Sequence, residues 1–499
     1  MTAVAADQLW LPARAELSPD ATAVLDDDTT LSWRALSERS EMIAGGLFGH
    51  PVSRGDRVGI LCAPGCDFAA VVHAVQSIGA ISVPLPLRAT AVELSDIIAR
   101  LGIRTIVTDE ANEYRAVTGT VGIAIDTLRD AGARRSHAAY DSRTTHSILF
   151  TSGTATKPKG VVLTNDNFYR SALASCHRLD VDDRDVWLAA MPMNHIGGLS
   201  ILLRSAIVGF SVVLRSTFDA RDFDRCVREH EVSIASMVPT MLARCLEHVE
   251  RNAYPSTFRC ALIGGAGLGP TLLERAQRAG IPIATTYGLT ETTSQVTTSQ
   301  PGSAAHTARG VVHAGAALDG TLVSIADTDA HGVGDIVVEG PQIMAGYYGD
   351  NAATASVMRN ATLRTGDRGR IDSDGNLEVL GRSDEVIITG GENVSPAEVE
   401  EVLIAYASVV DAGVYGVEDV EWGQAVVAAV VVNDQATKPN DLKDWCRERL
   451  ASHKIPKRIH FVEALPRTGS GKLRRKRLGE LPEARRQGFV ASPRGVTES

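Results

Sequence analysis

No pair of the seven cysteines stands in CxxC spacing, and no histidine cluster accompanies them. Cys62, Cys66, Cys176, Cys226, Cys245, Cys260 and Cys446 are scattered and odd in number, which argues against a disulfide scaffold or a structural zinc site. Reduced, buried thiols in a cytoplasmic protein are the expectation. Long apolar runs are also missing. The most apolar stretch, AIVGFSVVL over 206–214, falls well short of the roughly 20 residues a membrane helix needs. The opening stretch MTAVAADQLWLPARAELSPD lacks a basic start followed by an apolar block, so it does not read as a signal peptide. A net charge of -10 argues against a general nucleic-acid surface. The one basic exception is His453 to Arg477, which holds KIPKR and GKLRRKRL. It reads either as a solvated face or as a patch for an anionic ligand.

What is present is an ordinary globular balance of 44% hydrophobic and 22% charged residues over 499 positions, enough for two or more domains. The first part alternates strand and helix signals. DRVGILCAP, AISVPLP, IRTIVTD, HSILFTSG, VSIASMVPT, RCALIGGAG and IPIATTYG read as strands running into turns. DFAAVVHAVQSIGA and VELSDIIARLG carry apolar residues at helical spacing. The alternation predicts a parallel sheet with packed helices, and in such sheets ligands gather at the carboxyl ends of the strands. From about residue 310 to 383 the texture turns to short strands and turns, a β-rich subdomain. From Ser395 it returns to α+β, with PAEVEEVLIAYASVV as a helix, AVVAAVVV as a buried strand and DLKDWCRERLASHK as an amphipathic helix. The expected division is a large α/β domain over 1–383 and a small α+β domain over 384–499.

Five short motifs carry the chemistry. TSGTATKPKG, 151–160, follows a strand and gathers hydroxyls (Thr151, Ser152, Thr154), Gly153 and Lys159, the groups that bind a polyphosphate. Its spacing is not the Walker pattern. YGLTE, 287–291, ends a strand on a carboxylate. LRTGD, 363–367, places Asp367 in a tight turn. GRSDEVIITGGEN, 381–393, carries Arg382, an acidic pair and the double glycine Gly390–Gly391. PRTGSGK, 466–472, sets Lys472 after a flexible loop. Any one of these alone is an ordinary turn.

Together and in this order they resemble the adenylate-forming superfamily of acyl-CoA synthetases, luciferases and peptide-synthetase adenylation domains, over nearly the whole chain. The resemblance implies a ligase that joins a small-molecule carboxylic acid to ATP, giving acyl-AMP and pyrophosphate, and then lets the thiol of coenzyme A attack. It implies that Tyr287 and Gly288 border the adenine, with Gly265 and Ala266 lining its pocket. Thr290 would bond the α-phosphate and Glu291 would hold Mg2+. Asp367 would accept from the ribose, with Arg382 nearby, and Lys472 would bridge carboxylate and α-phosphate. Asp384 would be the hinge about which the C-terminal domain rotates, bringing Gly390 and Gly391 to the pantetheine channel. A homodimer is expected from the family.

Within the superfamily, MPMNHIGGLSILLRSAIVGFSVVL and YGLTETTSQVTT resemble the o-succinylbenzoate–CoA ligases of menaquinone synthesis, through HxxGLS, Arg204 and TETxSQ. His195 would gate the acyl site. Asn194 and Gly197 depart from the aromatic and the serine those ligases carry, so a relative adapted to another bulky acid stays open. Glycines 197 and 198 suggest room for a large group. The phosphate loop departs too, with Ala155 and Thr156 where the family has Thr and Gly. Losing the hydroxyl removes a bond worth about 1.5–3 kcal/mol, and a β-branched residue at a glycine position costs roughly 1–3 kcal/mol. Adenylation could slow by about 10²–10⁴-fold. This raises a second reading, an enzyme that thioesterifies an acyl-AMP supplied by a separate adenylating enzyme. A third is a domain that loads a carrier protein. A non-catalytic nucleotide-binding protein is opposed by the intact Lys472, Asp367 and Glu291.

Overall fold

The computed structural model describes residues 3–109, 119–131, 138–151, 158–248, 254–307, 311–383, 385–389, 392–420, 422–468 and 471–482. Among them the chain forms two large mixed sheets, a small antiparallel sheet and a separate C-terminal sheet.

The first large sheet runs in the order Gly346–Tyr347, Gly160–Thr164, Thr145–Phe150, Ile81–Pro84, Arg57–Leu61, Thr105–Thr108, Val121–Ala124. The second runs Ala316–Ala317, Thr297–Thr298, Ile283–Tyr287, Cys260–Ile263, Ile234–Met237, Val186–Ala189, Ser211–Leu214, Thr22–Leu25, Thr30–Ser32. Their central strands are parallel, as the alternating pattern predicts. The helices Trp33–Leu47, Cys66–Ser77, Asn165–Arg178 and Ile196–Val208 share one hydrophobic cluster with residues of both sheets, including Ile60 and Trp187. Cys66–Ser77 is buried on nearly every side, the condition of a helix held between two sheets rather than on a surface. A second cluster on the outer face of the longer sheet holds Ala220–Glu229, Pro239–His248 and Pro270–Arg278.

The strand HSILF pairs parallel with Ile81–Pro84 on one side and closes the parallel run on the other. Its chain returns at once as Gly160–Thr164, antiparallel, with Phe150 opposite Gly160. The hydrophobic run after the lysines, GVVL, needs a partner ladder, and the adjacent edge supplies it. The antiparallel sheet Leu322–Ala326, Gly334–Glu339, Thr362–Ile371, Met358–Arg359 and Leu377–Arg382 forms the β-rich part. Two pieces of that stretch leave it: Ala316–Ala317 extends the nine-stranded sheet and Gly346–Tyr347 the seven-stranded one.

The C-terminal sheet packs helices Pro396–Ile404 and Pro439–Arg447 on one face in a core of its own. The helix expected over PAEVEEVLIAYASVV is shorter than the pattern suggests. It ends at Ile404, and Val409 opens a strand to Asp419. The turn between them is fixed by Val409 N–H bonding Tyr406 O at 2.9 Å and by the Ser408–Thr437 hydroxyl pair. Likewise the helix read in DLKDWCRERLASHK starts earlier, at Pro439, and ends at Arg447. All seven cysteines are free and buried.

Candidate active site

YGLTE, Asp367, Arg382 and the PRTGSGK turn meet at the carboxyl ends of the strands Ile234–Met237, Cys260–Ile263 and Ile283–Tyr287. Tyr287 closes the last of these, and Gly288 must follow. A Cβ at Gly288 would stand 1.4 Å from Ser294 O, so only glycine lets the chain fold back this tightly. The return passes through a short 3-10 turn, Thr290–Thr292, and then through Thr293 and Ser294 at φ 50° and 89°. Left-handed backbone costs a non-glycine residue about 1–3 kcal/mol and persists only where neighbours over-determine it. Here Thr293 Oγ1 donates to Gln342 O at 2.6 Å and Thr293 O accepts from Ser171 Oγ at 2.7 Å. The result is that Thr290 and Glu291 are presented, half-buried, beside the strand end.

Asp367 is not in a tight turn. It lies within the strand Thr362–Ile371, opposite Arg382, with Gly366 at φ 75° and a register irregularity just beyond. The glycine bulge mimics a turn in sequence while the ladder continues through it. Asp367 Oδ2 accepts from the Tyr287 hydroxyl at 2.7 Å, and Asp367 Oδ1 stands 3.4 Å from Arg382 Nη1. Burial raises the Asp367 carboxyl above the ordinary range, opposed by the Tyr287 hydrogen bond and by the charges of Arg382 and Lys472. Burial, then the charge on Asp367, pushes the Tyr287 phenol well up, so it stays the donor.

Lys472 ends a turn closed by Thr468 N–H to Lys472 O at 2.8 Å and Lys472 N–H to Thr468 Oγ1 at 3.1 Å. Arg467 braces it, donating to Gly471 O at 2.9 Å while pairing with both Asp411 oxygens. Gly471, at φ 82°, rests against Thr240 and Val238, at the junction of the strand Ile234–Met237 and the helix Pro239–His248. The C-terminal turn therefore sits on the large domain's strand ends. His195 caps the helix Ile196–Val208. Burial, then the Lys472 charge, holds its imidazole below the ordinary value. One ammonium thus acts on both His195 and Asp367.

Gly265, at φ 78°, and Ala266 are exposed just after the strand Cys260–Ile263, with Gly264 N–H bonded to Met237 O at 3.1 Å. Thr151 and Lys159 close the mouth of the phosphate motif, Thr151 N–H to Lys159 O at 3.0 Å. Ser152, Gly153, Thr154, Ala155 and Thr156 lie outside the described residues, as do Asp384, Gly390 and Gly391.

One expectation is corrected. Glycines 197 and 198 do not simply leave room. A Cβ at Gly198 would meet Pro192 O at 2.6 Å, and one at Gly197 would meet Met191 Cε at 2.8 Å, so both are packed against the preceding turn. The basic patch is paired in part: Lys454 with Glu398, Arg467 with Asp411, Arg475 with Glu385 and Glu400, and Arg477 with Glu480. Sequence reading also passed over Tyr347, whose hydroxyl donates to Glu291 Oε1 at 2.9 Å. The only hint was an aromatic pair set between glycines in GYYG.

Among the described residues no group of three His, Cys, Asp or Glu could hold a metal alone, and no helix is long and apolar enough to cross a membrane. A single carboxylate such as Glu291 fits Mg2+ that arrives with substrate phosphates, because this cation is held by one or two carboxylates plus phosphate oxygens and water.

A family model described as AMP-binding enzyme matches residues 11–348, and one described as AMP-binding enzyme C-terminal domain matches 398–472. The 2-succinylbenzoate–CoA ligase of Bacillus cereus (strain Q1) is 37% identical over 485 residues, covering 95% of this chain and 98% of that protein. The o-succinylbenzoate coenzyme A synthetase of Bacillus subtilis in complex with ATP and magnesium ion superposes with a TM-score of 0.88 at 35% identity, over 94% of this chain and 99% of that one. The same synthetase with the acyl-adenylate intermediate OSB-AMP gives 0.87 at 34% identity, over 95% and 99%.

Proposed function

This chain belongs to the AMP-binding enzymes, an acid–thiol ligase that makes the CoA thioester of a bulky carboxylic acid through an acyl-adenylate, and we propose that its acid is 2-succinylbenzoate or a close aromatic relative. The observation that carries this reading is the end-to-end likeness to 2-succinylbenzoate–CoA ligase, 37% over 95% of the chain. It favours free coenzyme A as acceptor over a carrier protein, and a complete ligase over one fed by a separate adenylating enzyme. The reaction draws on ATP and coenzyme A, and we place it in the cytoplasm.

In the first half-reaction a carboxylate oxygen of the acid attacks the α-phosphorus of ATP. The bond to the β-phosphate breaks and pyrophosphate leaves. Lys472 stands between the carboxylate and the α-phosphate and stabilises the charge that develops there. Its influence on both His195 and Asp367 supports this position. Asp367, aided by Arg382, accepts from the ribose hydroxyls. The Tyr287 hydroxyl is committed to Asp367, which fixes the ring for stacking on adenine beside Gly265, Ala266 and Gly288. Thr290 donates to the α-phosphate. Thr151, Ser152, Gly153, Thr154 and Lys159 hold the departing phosphates. Glu291 would hold Mg2+, which offsets phosphate charge when bound.

In the second half-reaction the C-terminal domain turns about Asp384, withdraws Lys472 and brings Gly390 and Gly391 to the thiol channel. His195 opens the acyl site. The thiol sulfur attacks the acyl carbon, the bond to the phosphate oxygen breaks, and AMP leaves.

Single-turnover pyrophosphate release, measured with Mg·ATP and a panel of bulky aromatic acids in the absence of coenzyme A, tests the proposal. Release with 2-succinylbenzoate, followed by thioester once coenzyme A is added, is the expected result. Release with a different acid alone would move the substrate assignment. Thioester only from a synthetic acyl-adenylate would overturn the complete-ligase reading.

A further inference from the structure

The residue with the most contacts to explain is one the sequence motifs did not mark. Tyr347 is buried, and its hydroxyl donates to Glu291 Oε1 at 2.9 Å. The Lys159 ammonium stands 4.7 Å from the centre of its ring, within cation–π range. One side chain therefore meets the acidic group of YGLTE at its hydroxyl and the basic group of TSGTATKPKG at its ring.

The backbone around it is tied at both of those places. Met344 N–H bonds Glu291 O at 2.8 Å. Ala345 N–H bonds Val162 O at 2.9 Å and Tyr348 N–H bonds Gly160 O at 2.8 Å, so Tyr347 lies antiparallel to Val161. Gly346, at φ 145°, lets the strap turn over Thr354, whose Oγ1 accepts from Tyr347 N–H at 2.9 Å. Thr354 belongs to the short helix Asn351–Val357, capped by Asp350. Just upstream, Gln342 O takes the Thr293 hydroxyl, and Pro341 O and Ile343 O take the Asn167 amide. Residues 341–348 are thus a strap bonded to the Glu291 turn on one side and to the strand leaving the phosphate motif on the other.

We propose that Tyr347 is a positioning residue for the adenylation half-reaction, fixing the Glu291 carboxylate with its hydroxyl and the Lys159 ammonium with its ring. The inference rests on the reading of Glu291 as the carboxylate for Mg2+. A phenol that occupies one carboxylate oxygen leaves the other aimed outward, the arrangement by which groups behind a ligand tune its affinity. It also sets the spacing between a cation-holding group and a phosphate-contacting group before nucleotide arrives.

The test is calorimetric binding of a non-hydrolysable α,β-methylene ATP analogue to the full chain, titrated with and without Mg2+. Tyr347→Phe keeps the ring and loses the donor. It should raise the Mg2+ needed for half-maximal tight binding by about tenfold while leaving metal-free analogue affinity within twofold. Tyr347→Leu also loses the ring, and should weaken the metal-free analogue as well, by about threefold to fivefold. Thioester formation from synthetic acyl-adenylate reports that each variant is folded. Glu291→Gln separates the two claims. An unchanged Mg2+ requirement in Glu291→Gln would remove the reading of Glu291 itself. A raised requirement in Glu291→Gln with none in Tyr347→Phe would overturn the positioning role. So would an equal loss of thioester formation and Mg2+ response in Tyr347→Phe, since that is the mark of general structural damage.

Discussion

The Tyr287 hydroxyl donates to Asp367 Oδ2 at 2.7 Å, joining the end of a parallel strand to the middle of an antiparallel one 80 positions away. Through this bond one hydrogen links the edges of two sheets.

Tyr287→Phe removes a donor that lowers the Asp367 pKa, in a site where burial already raises it. Asp367 then protonates at higher pH. The acid limb of ATP binding should move upward, with weaker binding at low pH and recovery at high pH. A hydrogen bond to a charged group is worth about 1.5–3 kcal/mol, so KM for ATP should rise about tenfold or more near the acid limb. A KM ratio between variant and parent that stays flat from pH 5.5 to 8.5 would contradict it.

Lys472→Ala should cut single-turnover pyrophosphate release by about 10²–10³-fold, as loss of a transition-state cation does, and spare thioester formation from acyl-adenylate. It also carries a spectroscopic consequence. The Lys472 charge helps hold His195 below its ordinary pKa, so the variant's His195 should titrate at higher pH in NMR. An unmoved His195 resonance would mean the turn does not rest over the acyl site in solution.

Acid stability should depend on two buried histidines, His73 and His146. Their pKa values are lowered to about 4 and about 3, chiefly by burial. Both His73 ring nitrogens lack partners among the described residues, and His146 stacks on Trp10 with ring centres 5.3 Å apart. The unfolded chain takes up protons near pH 6.5 and the folded one does not, so stability falls as pH drops from about 6.5 toward 4. His146→Phe, which keeps the stacking, should flatten that fall. Urea midpoints measured at pH 7 and pH 5 check it.

The two glycines after His195 should behave differently. A side chain at Gly198 runs into the Pro192 carbonyl, which cannot yield, and Gly198→Ala should cost about 1–3 kcal/mol or more and much of the activity. At Gly197 the obstacle is the flexible end of Met191. Gly197→Ser should fold normally and change KM for the acid severalfold while KM for ATP holds. Equal damage from both substitutions would contradict this.

What the sequence disclosed and what it hid divide along physical lines. Strands such as Cys260–Ile263 are continuous apolar runs ending in Gly, and they read directly. The geometry of a glycine is less plain: Gly366 reads as a turn, yet the ladder runs through it, because a bulge and a turn share the same residue. YGLTE and PRTGSGK were read as chemistry only within the ordered set of five motifs, since either one alone is an ordinary turn. Tyr347 was not, because its partners Glu291 and Lys159 lie 56 and 188 positions away and only tertiary pairing brings them together. The ion pairs within the basic patch escaped for the same reason, since Asp411, Glu385 and Glu400 are remote in sequence from Arg467 and Arg475.

The antiparallel return after HSILF gives the phosphate motif two stems held by one ladder, Phe150 opposite Gly160 and Thr151 bonded to Lys159 just beyond. Such a segment is an exchangeable cassette. Its stems are graft points whose pairing is independent of what lies between them, and loop-closure entropy changes only slowly with the insert's length. The residues between the stems can therefore be exchanged while the two sheets on either side keep their architecture.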